Sequence, residues 1–387
     1  MKNRINLYRI TLPLALVLIL VSCSEDPVPL RDPSATQPEE RLYSWNETAD
    51  SIQLATYNTY LGSEGTFIQN NTGNTTFHYW PNAHVLHILV DGYNRTGDDG
   101  YLAKMKALLQ GIKSKNGNTY QNVFNDDMLW LANACVRAYE ATNDSEYKEV
   151  AEFLWQDILT SYSDVFGGGI TWKKDTPKQK NAVSNGPAAV LALRLYEVDG
   201  DEEYLEWAKT IYSWEKANLV DPVSGLVWDN ISEENGIVTT NKDWIFTYNM
   251  GTWIGAGIRL YKATGEQGYL ADAVKSAKAL MTSSKLTTEG ILRDEGQGDG
   301  GLFKGILVRY FTDLILMDEI NASDKESFVE FLEFNATTLY NSGINRPQML
   351  IGPNWRNAPS GNVDLTTQLS GVMLIEAAAK LDKLEVF

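Results

Sequence analysis

Cysteine and histidine are the scarcest reactive side chains in this sequence of 387 residues, with two and three copies. One cysteine, Cys23, lies near the N-terminus, outside the folded domain, so the only other one, Cys135, has no partner for a disulfide within that domain. The histidines are His78, His84 and His87, and they lack the His-Glu-x-x-His spacing of a helical zinc site. The sequence therefore predicts no metal, no cofactor and no nucleophile–histidine–acid catalysis.

Basic residues are also few compared with acidic ones. Lys and Arg number 33 against 50 Asp and Glu, which gives a net charge of −17. Lys2, Arg4 and Arg9 belong to the leader, so the folded domain is more acidic still. Such a surface repels nucleic acid and anionic lipid, which excludes a nucleic-acid partner and favours a neutral polymer.

Long apolar runs are absent except at residues 12–21, which are too few to span a bilayer stably. This run follows basic residues and ends in Leu20-Val21-Ser22-Cys23, which looks like a bacterial lipobox. The resemblance implies a signal peptide at 1–22, cleavage before Cys23 and acylation of that cysteine. Residues 23–41 then form a Pro-rich flexible tether. Acidic residues directly after Cys23 resemble a surface-export signal, so we expect an outer-membrane lipoprotein that faces the cell surface, with a periplasm-facing one as the alternative.

The rest of the chain, residues 42–387, repeats itself. Four segments share the pattern Tyr-x-x-x-Gly/Asn-Asp/Glu-x-x-Tyr, and they start at Tyr93, Tyr139, Tyr196 and Tyr261. Gly or Asn ends one helix there, and the acidic residues suit the N-terminus of the next. The helix before each turn is mostly apolar and the helix after it is amphipathic, which indicates a buried helix paired with an outer one.

Two more buried-type helices are predicted at about 303–319 and 366–381, and an outer-type helix at 51–61. Six buried and six outer helices predict an all-α protein, an (α/α)6 barrel in one domain and, we expect, a monomer. Links from buried to outer helices are short, whereas the return links are long, so all long loops must meet above the N-termini of the buried helices. Aromatic rings concentrate in these loops: Phe77, Tyr79, Trp80, Tyr120, Phe124, Trp172, Trp228, Trp244, Tyr248 and Trp355. Exposed rings on a rigid scaffold suit the C–H faces of sugars.

Glycoside hydrolysis needs two carboxyl groups, and the best candidates are Asp126 and Asp127. They open the second buried helix, with Asn125 as the expected N-cap. Neighbouring residues at a helix start allow the carboxyl separation of about 5–5.5 Å that a retaining mechanism uses. The helix N-terminus stabilises one carboxylate, and repulsion raises the pKa of the other, which divides them into nucleophile and acid.

Other roles for acidic residues remain open at this point. Acidic residues in a first helical turn are common capping residues, so the pair could be structural. The rival acids on the same face are Glu233, Glu234, Asp294 and Glu295.

Six blocks in sequence order carry a family resemblance. They are Asp126-Asp127, the Gly-Gly-Gly-Ile-Thr-Trp at 167–172, and the segments 180–189, 214–222, 248–251 and 299–305. Together they resemble glycoside hydrolase family 76, the (α/α)6-barrel endo-α-1,6-mannanases of bacteria and related fungal wall enzymes. The resemblance implies that Asp126 is the nucleophile and Asp127 the acid/base. The residues expected to line sugar subsites are Trp172, Asn181, Asn185, Tyr248 and Asn249.

The leading hypothesis is thus a retaining endo-α-1,6-mannanase that acts on α-mannan through the aspartate pair and reaches the membrane only through its lipid. One alternative is a non-catalytic, cell-surface glycan-binding lipoprotein, which needs aromatic rings but no acid pair. Another is an (α/α)6 glycosidase of different specificity, in which the catalytic acids lie elsewhere.

Overall fold

Twelve α-helices make up most of residues 42–387, the part of the chain that the computed structural model describes. Cys23 and the segments 1–22 and 23–41 lie outside these residues. In chain order the helices are α1 (Trp45–Tyr60), α2 (Tyr79–Thr96), α3 (Gly100–Lys115), α4 (Asn125–Thr142), α5 (Ser145–Leu159), α6 (Ala182–Asp199), α7 (Glu202–Leu219), α8 (Thr247–Thr264), α9 (Gln267–Thr282), α10 (Gly300–Ile315), α11 (Ala322–Thr338) and α12 (Leu365–Lys383). None of the described helices is long and apolar enough to cross a bilayer.

The even-numbered helices form a closed inner ring. Each packs against the next one along the chain, and α12 returns to pack against α2. The odd-numbered helices lie outside, with α3, α5, α7 and α9 each against the inner helix that precedes it, and α1 against α12. The prediction of an all-α (α/α)6 barrel is therefore confirmed.

Apolar patterning explains which helices lie inside. In α6 every residue from Ala182 to Leu195 is buried, as expected for a helix enclosed by neighbours on all sides. In α9 the buried residues recur every three or four positions along one stripe: Leu270, Ala273, Ser276, Ala277 and Leu280. One stripe is enough for a helix that packs only on its inner side.

Glycines let the inner helices approach closely. A Cβ atom at Gly251 of α8 would lie 2.7 Å from Leu307 Cα of α10, and one at Gly305 would lie 2.6 Å from Ser370 Cα of α12. Both neighbours are backbone atoms, so neither can move aside without shifting a helix. These two positions therefore require glycine for the ring to close.

The repeated tyrosine motif forms the turn that its sequence predicts. Gly97, Gly200 and Gly265 have φ of 68°, 68° and 73°, and Asn143 has φ of 55°, all in the left-handed region. Each donates its backbone N–H to the carbonyl of the tyrosine that opens the motif. Inner-to-outer links have two to six residues and outer-to-inner links have 9 to 27, so the long loops do meet at one end.

Two helices have boundaries that differ from the sequence-based prediction. The first helix begins at Trp45, not at residue 51, because Ser44 Oγ accepts a hydrogen bond from the Glu47 backbone N–H (3.2 Å). That Ser-x-x-Glu arrangement is a capping signal that apolar periodicity alone does not detect. The fifth inner helix begins at Gly300 and ends at Ile315, earlier at both ends than predicted, because its two leading glycines are poor indicators of a helix.

Short strands lie within the long loops. They are β1 (Gln179–Asn181), β2 (Asn230–Glu234), β3 (Ile237–Thr240), β4 (Thr287–Thr288), β5 (Ile291–Leu292), β6 (Ile344–Asn345) and β7 (Leu350–Ile351). The first three form an antiparallel sheet in the order β1-β2-β3, with Lys180 opposite Ile231. This sheet joins the loop before α6 to the loop before α8, and both loops contribute to the site described next.

Candidate active site

A cavity of about 660 Å³ opens above the N-termini of five inner helices, α2, α4, α6, α8 and α10. Seven of the ten predicted loop aromatics line it: Phe77, Tyr79, Trp80, Phe124, Trp172, Trp244 and Tyr248. The other three have structural positions. For example, Trp355 is fully buried beneath the Lys304 ammonium, 4.1 Å from its ring centroid.

Asp126 and Asp127 line this cavity at the start of α4. The residue before the helix is Phe124, so Asn125 is its first residue and not the N-cap that the sequence suggested. The Asn125 side chain instead donates to the Thr171 carbonyl (2.8 Å), and its backbone N–H donates to the Trp172 carbonyl (3.0 Å). Asn125 thus fixes the loop that carries Trp172 beside the aspartate pair.

Asp126 has contacts that favour its charged form. Its Oδ2 accepts a hydrogen bond from Trp172 Nε1 (3.2 Å), and backbone N–H groups at the start of α4 also donate to it. Burial raises the pKa of Asp126 above its ordinary value, while these hydrogen bonds counteract part of the rise. Its other oxygen, Oδ1, is buried without a hydrogen-bond partner among residues 42–387.

Asp127 has a different environment. Burial raises its pKa well above the ordinary value, and the nearby carboxylates of Asp126 and Asp299 raise it further. Among the described residues no hydrogen bond to Asp127 counteracts these effects, in contrast to Asp126. Two adjacent carboxyl groups of this kind can act as one anion and one proton donor.

Two further acids in the cavity, Asp229 and Asp299, were missed as candidates from the sequence. Asp229 is 5% exposed, and its Oδ1 accepts hydrogen bonds from Asn249 Nδ2 (3.1 Å) and the Tyr248 hydroxyl (3.4 Å). Asp299 accepts a hydrogen bond from Trp80 Nε1 (3.1 Å). Asp299 begins one of the six blocks that carry the family resemblance, 299–305, which could have drawn attention to it. Asp229 is a lone acid within a loop and has no such signal.

The predicted sugar-binding residues divide into two groups. Trp172, Asn181 and Tyr248 line the cavity, and the Tyr248 ring stacks on Phe303 with centroids 3.8 Å apart and planes 4° from parallel. The stacking holds Tyr248 rigidly at the wall. Asn181 Oδ1 is buried without a hydrogen-bond partner in the described part of the chain.

The predictions for Asn185 and Asn249 need correction, because neither side chain lines the cavity. Asn185 is fully buried and bonds both backbone groups of Ile170, donating to its carbonyl (3.0 Å) and accepting from its N–H (2.8 Å). Asn249 is fully buried and donates to Asp229. Each lies within the opening turns of an inner helix but points away from the opening, so both support cavity residues from behind.

The rival acids lie outside the cavity. Glu233 pairs with Lys178 on the sheet, and Glu295 accepts from the backbone N–H (3.1 Å) and the hydroxyl of Thr247. Asp294 accepts from the Gly296 backbone N–H (2.7 Å), and Glu234 ends β2 on the surface. Of the acids that the sequence offered as catalytic candidates, only Asp126 and Asp127 line the cavity among the described residues.

Comparison with known proteins places this geometry in context. The model of glycosyl hydrolase family 76 matches residues 44–385. An α-1,6-mannanase of Salegentibacter sp. HEL1_6 is 60% identical in sequence, with a TM-score of 0.86, over 87% of this chain and all of that one. A variant of that enzyme in which asparagine replaces two consecutive aspartates is inactive, and its structure has been solved with α-1,6-mannotriose. That variant is 59% identical in sequence, with a TM-score of 0.86, over 87% of this chain and all of that one.

More distant relatives are fungal. A mannan endo-1,6-α-mannosidase of Candida glabrata is 27% identical over 207 residues, which is 49% of this chain and 46% of that protein. The chain thus spans about half the length of that relative.

Proposed function

Because the chain belongs to glycosyl hydrolase family 76, we propose that it is a retaining endo-α-1,6-mannanase that cleaves α-1,6-mannan. The observation that carries this proposal is the unequal pair of buried aspartates in an aromatic-lined cavity. The similarity to an α-1,6-mannanase over its whole length supports the substrate. So does the loss of activity in that enzyme when two consecutive aspartates are replaced.

In the first step Asp126 is the nucleophile. Its carboxylate forms a bond to the anomeric carbon while the bond from that carbon to the glycosidic oxygen breaks. Asp127 gives its proton to the departing oxygen, so one mannan fragment leaves as an alcohol and the other stays attached to Asp126. The Trp172 N–H holds Asp126 Oδ2 (3.2 Å), which favours the anion before the attack and orients the carboxylate.

In the second step the same residues act in reverse. Asp127, now ionised, takes a proton from water as the water oxygen bonds to the anomeric carbon, and Asp126 is released as a carboxylate. Two inversions restore the α-configuration. Burial of both carboxyl groups assists both steps, because charge interactions are stronger where water is excluded.

The test is to incubate the full chain with unbranched α-1,6-mannan and follow the products. We expect a series of oligosaccharides, and proton NMR recorded before mutarotation should show α-reducing ends first. Initial β-ends would contradict a retaining mechanism, and release of mannose alone would contradict endo action. If the mannan binds without any product, the glycan-binding alternative replaces this proposal.

The second part of the proposal concerns location. We propose that Cys23 carries lipid and that the protein is an outer-membrane, surface-facing monomer that contacts the bilayer only through this anchor. Labelled fatty acid should appear on the wild-type chain and be lost with Cys23→Ala, whereas Cys135→Ala should keep the label. Protease added to intact cells should remove the protein if it faces outward. Light scattering of the unlipidated chain that shows a dimer would contradict the monomer.

A further inference from the structure

A second cavity, of about 470 Å³, lies at the opposite end of the barrel from the aspartate pair. It is surrounded by the C-terminal halves of the inner helices. Asp126 opens α4, and Arg137 of the second cavity follows eleven residues later on the same helix, which corresponds to about 16 Å along its axis. The mechanism described above uses no residue of this second cavity.

The lining of the second cavity is strongly cationic. Seven Lys and Arg side chains line it against four carboxylates, in a chain whose net charge is −17. Four of the cations are arginines contributed singly by consecutive inner helices: Arg137 from α4, Arg194 from α6, Arg259 from α8 and Arg309 from α10. Positive charge is thus concentrated where the fold brings four guanidinium groups together.

The carboxylates nearby pair with three of these arginines but leave some guanidinium nitrogens without an acceptor, and Arg259 pairs with Glu197. Arg137 pairs with Asp91, and Arg194 Nη1 reaches Glu140 at 3.1 Å. Arg194 Nε, however, is buried without a hydrogen-bond partner among residues 42–387, and so are Nε and Nη2 of Arg309. The Asp91 oxygen closest to Arg309 is 4.0 Å away, beyond hydrogen-bond distance.

Arg309 has the least compensation of the four. Its side chain is 9% exposed, and that of Arg194 is 6% exposed. Burial and the neighbouring Arg137 guanidinium lower the pKa of Arg309 to about 10. A buried donor left without an acceptor destabilises the fold, so native proteins usually satisfy such groups with water or an ion.

The C-termini of the six inner helices also meet at this end, and their partial negative charges favour cations. That effect explains why arginines are tolerated here. It does not supply acceptors for particular N–H groups, because a hydrogen bond needs an oxygen within about 3 Å in the right direction. An anion with several oxygens supplies the charge, and it can accept from the parts of the guanidinium groups that line the cavity.

We propose that this arginine cavity binds a small tetrahedral oxyanion of the phosphate or sulfate class, with Arg309 and Arg194 as its main donors. Planar guanidinium groups match such oxygens in a two-pronged arrangement. The rim provides a way in: Lys380 is 52% exposed and lies 3.8 Å from Asp313, which is itself 31% exposed. The volume accommodates the anion together with ordered water.

Thermal unfolding of the full chain in inorganic phosphate, compared with chloride at equal pH and ionic strength, tests the proposal. We expect Tm to rise by about 2–4 °C and to level off at millimolar phosphate, because a ligand bound only to the native state stabilises it by mass action. Sulfate should give the same plateau without adding to it. Arg309→Gln should abolish the plateau, while the surface control Lys285→Gln, on an exposed lysine, should keep it.

General salting-out also stabilises proteins, but it grows steadily with concentration and does not saturate. A steady rise, or an equal plateau in Arg309→Gln, would therefore overturn the proposal. If Arg309→Gln does not fold, the same comparison is made with Arg194→Gln, and wild-type protein is titrated with inorganic phosphate in a calorimeter. Heat at a stoichiometry near one supports the site, and no binding up to about 10 mM contradicts it.

Discussion

Replacing Asp127 by Asn should make the enzyme inactive and, above pH 4, more stable. The side chains have nearly the same shape, but Asn cannot ionise. Burial and the carboxylates of Asp126 and Asp299 raise the pKa of Asp127 well above its ordinary value of 3.8. A carboxyl group with a raised folded-state pKa stabilises the fold below its unfolded pKa and loses that contribution as the pH rises toward the folded pKa.

The size of the effect follows from the number of pH units between the two pKa values. Each unit corresponds to about 1.4 kcal/mol, so the three units from pH 4 to pH 7 set an upper bound of about 4 kcal/mol. Relaxation and water entry reduce it, and we expect Asp127→Asn to exceed wild type by about 1–3 kcal/mol at pH 7. At pH 4 the two should be nearly equal. Mannan turnover should fall at least about 10³-fold, because general-acid catalysis is lost.

Urea unfolding of both proteins at several pH values from 4 to 8 measures this difference, with equal m-values showing that the denatured state is unchanged. The matched control is Asp318→Asn, the same chemical change at a side chain that is 98% exposed, which should give no trend with pH. If Asp127→Asn is less stable than wild type, or if the difference does not grow with pH, Asp127 is a capping residue and the pKa argument is wrong.

Three further outcomes are expected. Trp172→Phe removes the N–H that lowers the pKa of Asp126, so the acid limb of the pH profile of kcat/KM should move to higher pH; an unmoved limb contradicts this role. Asn185→Ala leaves both backbone groups of Ile170 unpaired and should cost about 1–3 kcal/mol in urea unfolding while KM stays unchanged; a raised KM would restore Asn185 as a sugar contact. Asp229→Asn should lower kcat/KM about 10–100-fold, as expected for a buried charged acceptor at the cavity wall. Its pH-dependent gain in stability should be smaller than that of Asp127→Asn, because hydrogen bonds counteract the rise in the pKa of Asp229; unchanged kinetics would make Asp229 structural.

The barrel was predictable because the sequence repeats the signal for the turn between an inner and an outer helix. Tyr93, Tyr139, Tyr196 and Tyr261 mark the same turn four times, and each turn separates an apolar helix from an amphipathic one. Errors in any one helix boundary, such as that of α1, do not alter the count of hairpins. The position of the aspartate pair at the loop face follows directly from that count.

The finer parts of the site were not predictable for geometric reasons. Successive residues of a helix point about 100° apart, so Tyr248 faces the cavity while Asn249 points at the back of Asp229. No sequence pattern sets the rotation of an inner helix about its own axis. Asp229 can be recognised as a site residue only from its hydrogen bonds with Tyr248 and Asn249, and these bonds join a loop to a helix.

The closure of the inner ring also determines when the molecule can become a folded unit. α12, the last helix of the chain, packs against both α2 and α10, and Gln53 of α1 bonds Glu376 of α12 across 323 positions of sequence. Arg95 joins the same seam, since it contacts both Asp50 and Glu376. Contacts between such distant positions form late, because the intervening chain must first be brought together. Until α12 has been synthesised, two apolar edges of the first five inner helices therefore stay uncovered, one on α2 and one on α10. Loss of α12 alone should therefore make the chain aggregate, even though Asp126 and Asp127 are still present.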